Sequence, residues 1–125
     1  MRKSVSVYTL VVTTPPHQNN TATVIEFAES ILTAGHQING IFFYQDGVLN
    51  ASTLTSIPND EFQAPAAFVK LHNDHQVALH LCITAGEKRG LTDQDGVINI
   101  NPAFTVSGLG EMVELTSTAD KVIQL

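Results

Sequence analysis

The sequence predicts an α/β fold: a single three-layer α/β/α domain with a mostly parallel sheet of about five strands. Three observations lead there. Segments rich in β-branched and aromatic residues recur along the chain, stretches with helical apolar spacing lie between them, and Gly or Pro punctuates the joins. Strands that alternate with helices pair in parallel and are covered on both faces.

The first strand is read over residues 4–13, closed by Pro15-Pro16. Asn20 or Thr21 then caps a helix whose apolar residues Val24, Ile25, Phe27, Ala28, Ile31 and Leu32 fall at helical spacing, and Gly35 ends it. The second strand covers residues 37–44, and a Gly-containing loop runs over residues 45–58. Phe62, Ala66, Val69 and Leu71 give the next helical stripe, with Asp60 as its cap and Pro65 in the first turn or so, where proline is tolerated. Residues 77–83 form the third strand, 84–89 a short helix ended by Gly90, and 91–102 an irregular stretch. A short fourth strand at 104–108, a helix at 109–120 and a terminal strand at 121–125 complete the chain. No internal repeat, low-complexity tract or linker divides it, so residues 1–125 are read as one domain.

At 13.5 kDa such a domain buries roughly two-thirds of its unfolded surface, enough for a core without staples. One cysteine excludes an intramolecular disulfide framework and a multi-cysteine zinc site, and fits a reducing compartment. Met1-Arg2-Lys3 resembles the start of a signal peptide only superficially, because the following residues alternate small polar with apolar side chains, as a strand does. No apolar run approaches the ~20 residues that span a bilayer. A cytoplasmic location is therefore expected. Six basic against twelve acidic residues give a net charge of −6, which leaves no basic footprint for direct nucleic-acid binding. Only 14% of residues are charged, an expectation that other subunits cover part of the surface.

Cys82 is the candidate catalytic residue. It falls at the end of the third strand, where open parallel sheets gather their reactive groups. Thr84 and Glu87 have the spacing of a capping box, so a helix starting there points free N–H groups and a positive dipole end toward Cys82. That environment favours a thiolate, the nucleophile of sulfur chemistry, and Lys88 and Arg89 add positive charge nearby. The competing reading keeps its place: a lone cysteine in an apolar strand is commonly a small buried hydrophobe.

The five histidines add less. His72 and His75 stand three apart near a helix end, a spacing that metals use but that also suits the helix dipole. His36 and His80 are read as flanking or joining strands, and His17 as a proton-transfer group if it faces the same edge as Cys82. Ser107-Gly108-Leu109-Gly110 is read as a tight strand-to-helix turn in which glycine permits close approach, or as an extra rim of N–H groups beside the thiol. No phosphate loop is present and no Ser-His-Asp arrangement can be singled out, so ATP hydrolysis and esterase chemistry lack support. No cofactor and no metal is expected.

"FFYQDGVLNA", "LHLCITAGEKRGL", "FTVSGLGEMVE" and the ending "DKVIQL" resemble the DsrE family, most closely its TusD branch. The resemblance is collinear from the first strand to the last residue. It implies a sulfurtransferase that takes sulfane sulfur as a persulfide on Cys82 and passes it to a thiol on the next protein. It further implies TusB- and TusC-like subunits in a dimer of heterotrimers, an upstream sulfur donor protein, a TusE-like acceptor, and 2-thiolation of tRNA wobble uridine as the destination. A DsrE-type carrier in oxidative sulfur metabolism shares these motifs, and self-association stays open. Thr84-Ala85-Gly86-Glu87 departs from the alanine-rich residues of many relatives and brings a negative charge near the thiol; the segment after Thr92 is shorter than in some members. Outside this class stand a non-catalytic structural subunit with Cys82 inert in the core, and a flavodoxin-like module, which "TTPPH" fits poorly.

Overall fold

Val7–Val12 forms strand β1, and every later strand is placed relative to it. The computed structural model describes residues 4–94, 96 and 98–125. Helix α1 (Asn20–Thr33) leads to β2 (Gln37–Phe43), a 3-10 segment (Gln45–Ala51), helix α2 (Ala64–His75) and β3 (Leu79–Cys82). Helix α3 (Ile83–Lys88), β4 (Phe104–Ser107), α4 (Leu109–Thr118) and β5 (Lys121–Gln124) follow. The sheet order is β4-β3-β2-β1-β5, with every neighbouring pair parallel. A five-stranded parallel sheet is what the alternating pattern predicts.

Successive strands β1 to β4 step one way, and right-handed crossovers therefore stack α1, α2 and α3 on one face. The chain then returns to the far side of β1, which sends α4 to the other face. Packing agrees. On the α2 face, the Phe43 ring meets Phe68 edge-on at 4.8 Å and Phe104 at 5.1 Å. On the other face, Gly40 leaves room for Leu115 of α4, whose methyls lie 3.0 Å from where a Cβ would stand. The β1–β2 register slips after Tyr8, so that Asn39 is an extra residue on β2. Its amide donates to the Leu115 carbonyl at 2.9 Å and its carbonyl oxygen accepts from Thr9 Oγ1 at 2.6 Å, fastening α4 to the sheet.

Helix α1 takes Asn19 as its N-cap, with no side-chain cap hydrogen bond, so neither Asn20 nor Thr21 caps it. Four further expectations need correction. The second helix begins at Ala64 with Gln63 as its N-cap, so Asp60 caps nothing; Pro65 must lie in the first turn and sets the start. The Gln63 amide instead donates to the carbonyls of Pro58, Ile57 and Glu61, closing the preceding loop, and Phe62 stays exposed outside the helix. The loop at residues 45–58 opens with the 3-10 segment, whose Val48 and Ala51 are buried. Neither glycine of the Ser-Gly-Leu-Gly turn serves close approach, because a Cβ at Gly108 or Gly110 meets nothing within 4 Å. The last correction concerns the start of α3 and belongs with the cysteine.

Candidate functional site

Cys82 ends β3 and caps α3. Its backbone is extended (φ −67°, ψ 122°), and Ile83 is already helical. The Thr84–Glu87 capping box therefore does not form. Thr84 is the second residue of the helix, two places too late to cap it, and the helix has no side-chain cap hydrogen bond. An N-cap side chain is the one aimed at the free N–H groups of the first turn. Cys82 is that N-cap residue, and its sulfur makes no hydrogen bond to those groups.

Six residues make a helix too short to stand alone, and the C-terminal end of α3 is tied. At its end Gly90 takes φ +78°, its N–H donates to the Glu87 carbonyl, and the Leu91 N–H donates to the Gly86 carbonyl. Those bonds are a Schellman motif. Arg89 donates from Nη1 to the Ala85 carbonyl at 3.0 Å and from Nε to Asp46 Oδ1 at 2.9 Å. The second bond spans from α3 to the 3-10 segment.

Between these two elements lies a cleft of about 340 Å³ with Cys82 in its lining. Tyr44 and Gln45 form one wall, Lys88 and Arg89 the other, and Leu109, the first residue of α4, closes an end. Gln45 carries φ +50°, a left-handed backbone that side-chain-bearing residues seldom adopt. Cys82 itself is 2% exposed and belongs to the core cluster, so it forms floor rather than rim. Arg89 spends its charge on Asp46, while Lys88 is exposed and makes no ion pair among the described residues.

The pleat separates two sets of side chains on β3. Leu81 lies against Gly86 of α3. His80 and Cys82 take the opposite face, the α4 side. Cys82 is in register with Ser107 on β4, and His80 with Thr105. His80 Nδ1 lies 2.9 Å from Ser107 Oγ, and its Nε2 3.8 Å from Glu111 Oε1 in the first turn of α4. Sequence reading places His80 only as a strand-joining residue and finds no Ser-His-carboxylate set. The signal was present in the period of two between His80 and Cys82, but Ser107 and Glu111 become neighbours only through the register.

The other histidines stand apart from the thiol. His17 lines a separate crevice with Pro16, Ile57 and Phe62. His72 Nδ1 is 2.9 Å from the Val77 carbonyl, and His75 borders a crevice shared by α1 and α2. His36 Nδ1 accepts from the Ser6 N–H. No helix among the described residues is long and apolar enough to cross a membrane.

Known proteins are similar to this chain in sequence and in fold. The chain is 42% identical to a protein named Sulfurtransferase TusD from Pectobacterium carotovorum, over 94% of this chain and 97% of that one. It is 38% identical to the Sulfurtransferase TusD of Cronobacter sakazakii, over 94% and 98%. The crystal structure of the ychN protein from E. coli superposes with a TM-score of 0.72 over 98% of this chain and 100% of that one, at 17% identity, a likeness of fold. The DsrE/DsrF-like family pattern matches residues 6–125, the whole sheet and every element that frames Cys82. The chain is a member of the DsrE/DsrF-like family.

Proposed function

We propose that the protein is a sulfurtransferase subunit that carries sulfane sulfur as a persulfide on Cys82 and relays it to an acceptor protein thiol. The observation that carries this reading is the position of the chain's lone thiol, in the floor of an open cleft at the carboxyl end of β3 and at the N-cap of α3. The relatives' name, Sulfurtransferase TusD, supports sulfur transfer as the kind of reaction. Cys82 attacks a donor persulfide, the terminal sulfur moves onto Sγ, and the donor leaves as a thiolate. With no second cysteine the chain cannot trap its own sulfur in an internal disulfide. The cargo has to pass to another protein.

The partners we propose are TusB- and TusC-like subunits, an upstream donor and a TusE-like acceptor in the cytoplasm, with tRNA wobble-uridine 2-thiolation as the destination. A net charge of −6 suits a relay that does not hold the tRNA itself. Sulfur carriage in oxidative sulfur metabolism uses the same step on Cys82. A second reading, a structural subunit with an inert cysteine, draws on the 2% exposure of Cys82.

Intact-mass spectrometry separates the two. The native protein is incubated with a cysteine desulfurase, cysteine and a sulfur-relay protein. A mass gain of one sulfur atom that reductant removes and Cys82→Ser abolishes supports the carrier. No gain on folded protein, with a thiol that titrates only after denaturation, establishes the structural subunit.

A further inference from the structure

The step that releases the sulfur is the reverse of loading. An acceptor thiolate attacks the outer sulfur of the Cys82 persulfide, a new S–S bond forms on the acceptor, and the bond to Cys82 Sγ breaks. The electron pair of that bond stays on Sγ, so Cys82 leaves as a thiolate; any proton on the outer sulfur travels with it. Negative charge thus develops on Sγ, in a floor that is almost wholly shielded from water. Charge developing at such a place is stabilised by a hydrogen-bond donor already aimed at it.

One hydroxyl on the adjacent strand is near enough to turn to it: Ser107 Oγ makes no hydrogen bond to Sγ in the resting structure and donates instead to the Thr105 carbonyl at 3.5 Å. Ser107 is the register partner of Cys82 on the adjacent strand, with both side chains on the α4 side of the sheet. Neighbouring strands run about 4.8 Å apart, so these two side chains stand next to each other. Ser107 is held by His80, whose Nδ1 lies 2.9 Å from Oγ, and His80 is flanked by the Glu111 carboxylate, 3.8 Å from Nε2. The direction of the first bond decides what Ser107 can offer. With a proton on Nδ1 the imidazole donates to Oγ, and the serine proton, held only by a long 3.5 Å bond to the Thr105 carbonyl, is released to turn to a stronger acceptor. Without it, the serine proton is held by the ring. A ring protonated on both nitrogens donates to Ser107 and faces Glu111 as an ion pair.

We propose that Ser107 donates a hydrogen bond to Cys82 Sγ as sulfur leaves, and that His80 and Glu111 are positioning residues that free and aim its hydroxyl. This rests on the persulfide reading of Cys82. Ser107 is then a further catalytic residue of the transfer step, supplied by a different strand from the thiol.

The test follows the two half-reactions separately by intact mass. Wild type, Ser107→Ala, Ser107→Thr, His80→Asn and His80→Leu proteins are loaded with sulfur, freed of donor, and mixed with a small acceptor thiol. Circular dichroism and thermal melting confirm that each variant is folded. Ser107→Ala is expected to load but to release its sulfur about tenfold more slowly, as loss of one bond to a charged group implies. Ser107→Thr keeps the hydroxyl and is expected to release at close to the wild-type rate. His80→Asn, which still presents an N–H near the Nδ1 position, is expected to exceed His80→Leu. Equal release by Ser107→Ala and Ser107→Thr overturns the assignment while leaving the carrier reading intact. A wild-type protein that accepts no sulfur overturns both. Should Ser107→Ala fail to fold, the comparison of His80→Asn with His80→Leu decides: equal release rates reject the array.

Discussion

Arg89 Nε donates to Asp46 Oδ1 at 2.9 Å, and this contact bolts the helix that follows Cys82 to the segment that follows β2. Both sides of the thiol cleft are therefore joined by one ion pair, with Arg89 27% and Asp46 58% exposed on their side chains. A pair this accessible to water contributes little to stability, about 0–1 kcal/mol. Arg89→Gln is accordingly expected to shift the urea midpoint slightly and to raise the alkylation rate of native Cys82 severalfold. Asp46→Asn is expected to do the same, and the double variant no more than either alone. A large stability loss with unchanged thiol accessibility would show that the pair holds the fold rather than the cleft.

Two glycines near the site are needed for opposite reasons, and alanine tells them apart. Gly90 has open space around it but φ +78°, so Gly90→Ala meets only the backbone cost, about 1–2 kcal/mol. Gly47 lies under the end of β1, and a Cβ there would collide with the carbonyl of Val12, which is backbone and cannot turn aside. Gly47→Ala is expected to destabilise by about 3 kcal/mol or more, or to displace the 3-10 segment and with it the Gln45 wall. Chemical denaturation of both variants checks the order.

The aromatic cluster of Phe43, Phe68 and Phe104 ties the middle of the sheet to α2. Phe68 is fully buried, so Phe68→Ala is expected to cost about 3–5 kcal/mol, read from urea unfolding. A loss below 1 kcal/mol would mean that α2 settles into the vacated space.

Thr84→Ala tests the start of α3. A capping threonine would lose about 1 kcal/mol on that change. As the second helical residue, exposed and without a cap bond, Thr84 is expected to change the melting free energy by no more than about 0.5 kcal/mol.

Cys82→Ala separates chemistry from packing. Removing a nearly buried sulfur is expected to lower stability by about 1–2 kcal/mol, leaving a folded protein by circular dichroism that takes up no sulfur. Sulfur uptake by that variant would place the reactive group elsewhere.

Much of this was legible in the residues, and the misses share a cause. Helix α1 was legible from its apolar spacing and from Gly35, which indeed takes φ +87°. The parallel sheet was legible from alternation alone. What failed were the caps at Asn20 or Thr21, Asp60 and Thr84, because local capping signals compete with tertiary demands: α1 already starts at Asn20, Pro65 delays α2, and the end of β3 advances α3. For the site, the strand end of Cys82 could be read directly. The nearness of Ser107 and Glu111 to His80 could not, since strand register is decided by packing across the sheet.

The sheet order also governs how the chain assembles in time. β1 is synthesised first yet receives its second neighbour last, when residues 121–124 pair with Tyr8 to Val11. Everything that frames the thiol, from Tyr44 to Glu111, leaves the ribosome before that. Until then one edge of β1, bearing the buried residues Leu10 and Val11, is an open row of N–H and C=O groups able to pair with a foreign strand. A released chain ending before Lys121 would have its cleft-forming strands in hand and still be adhesive along β1.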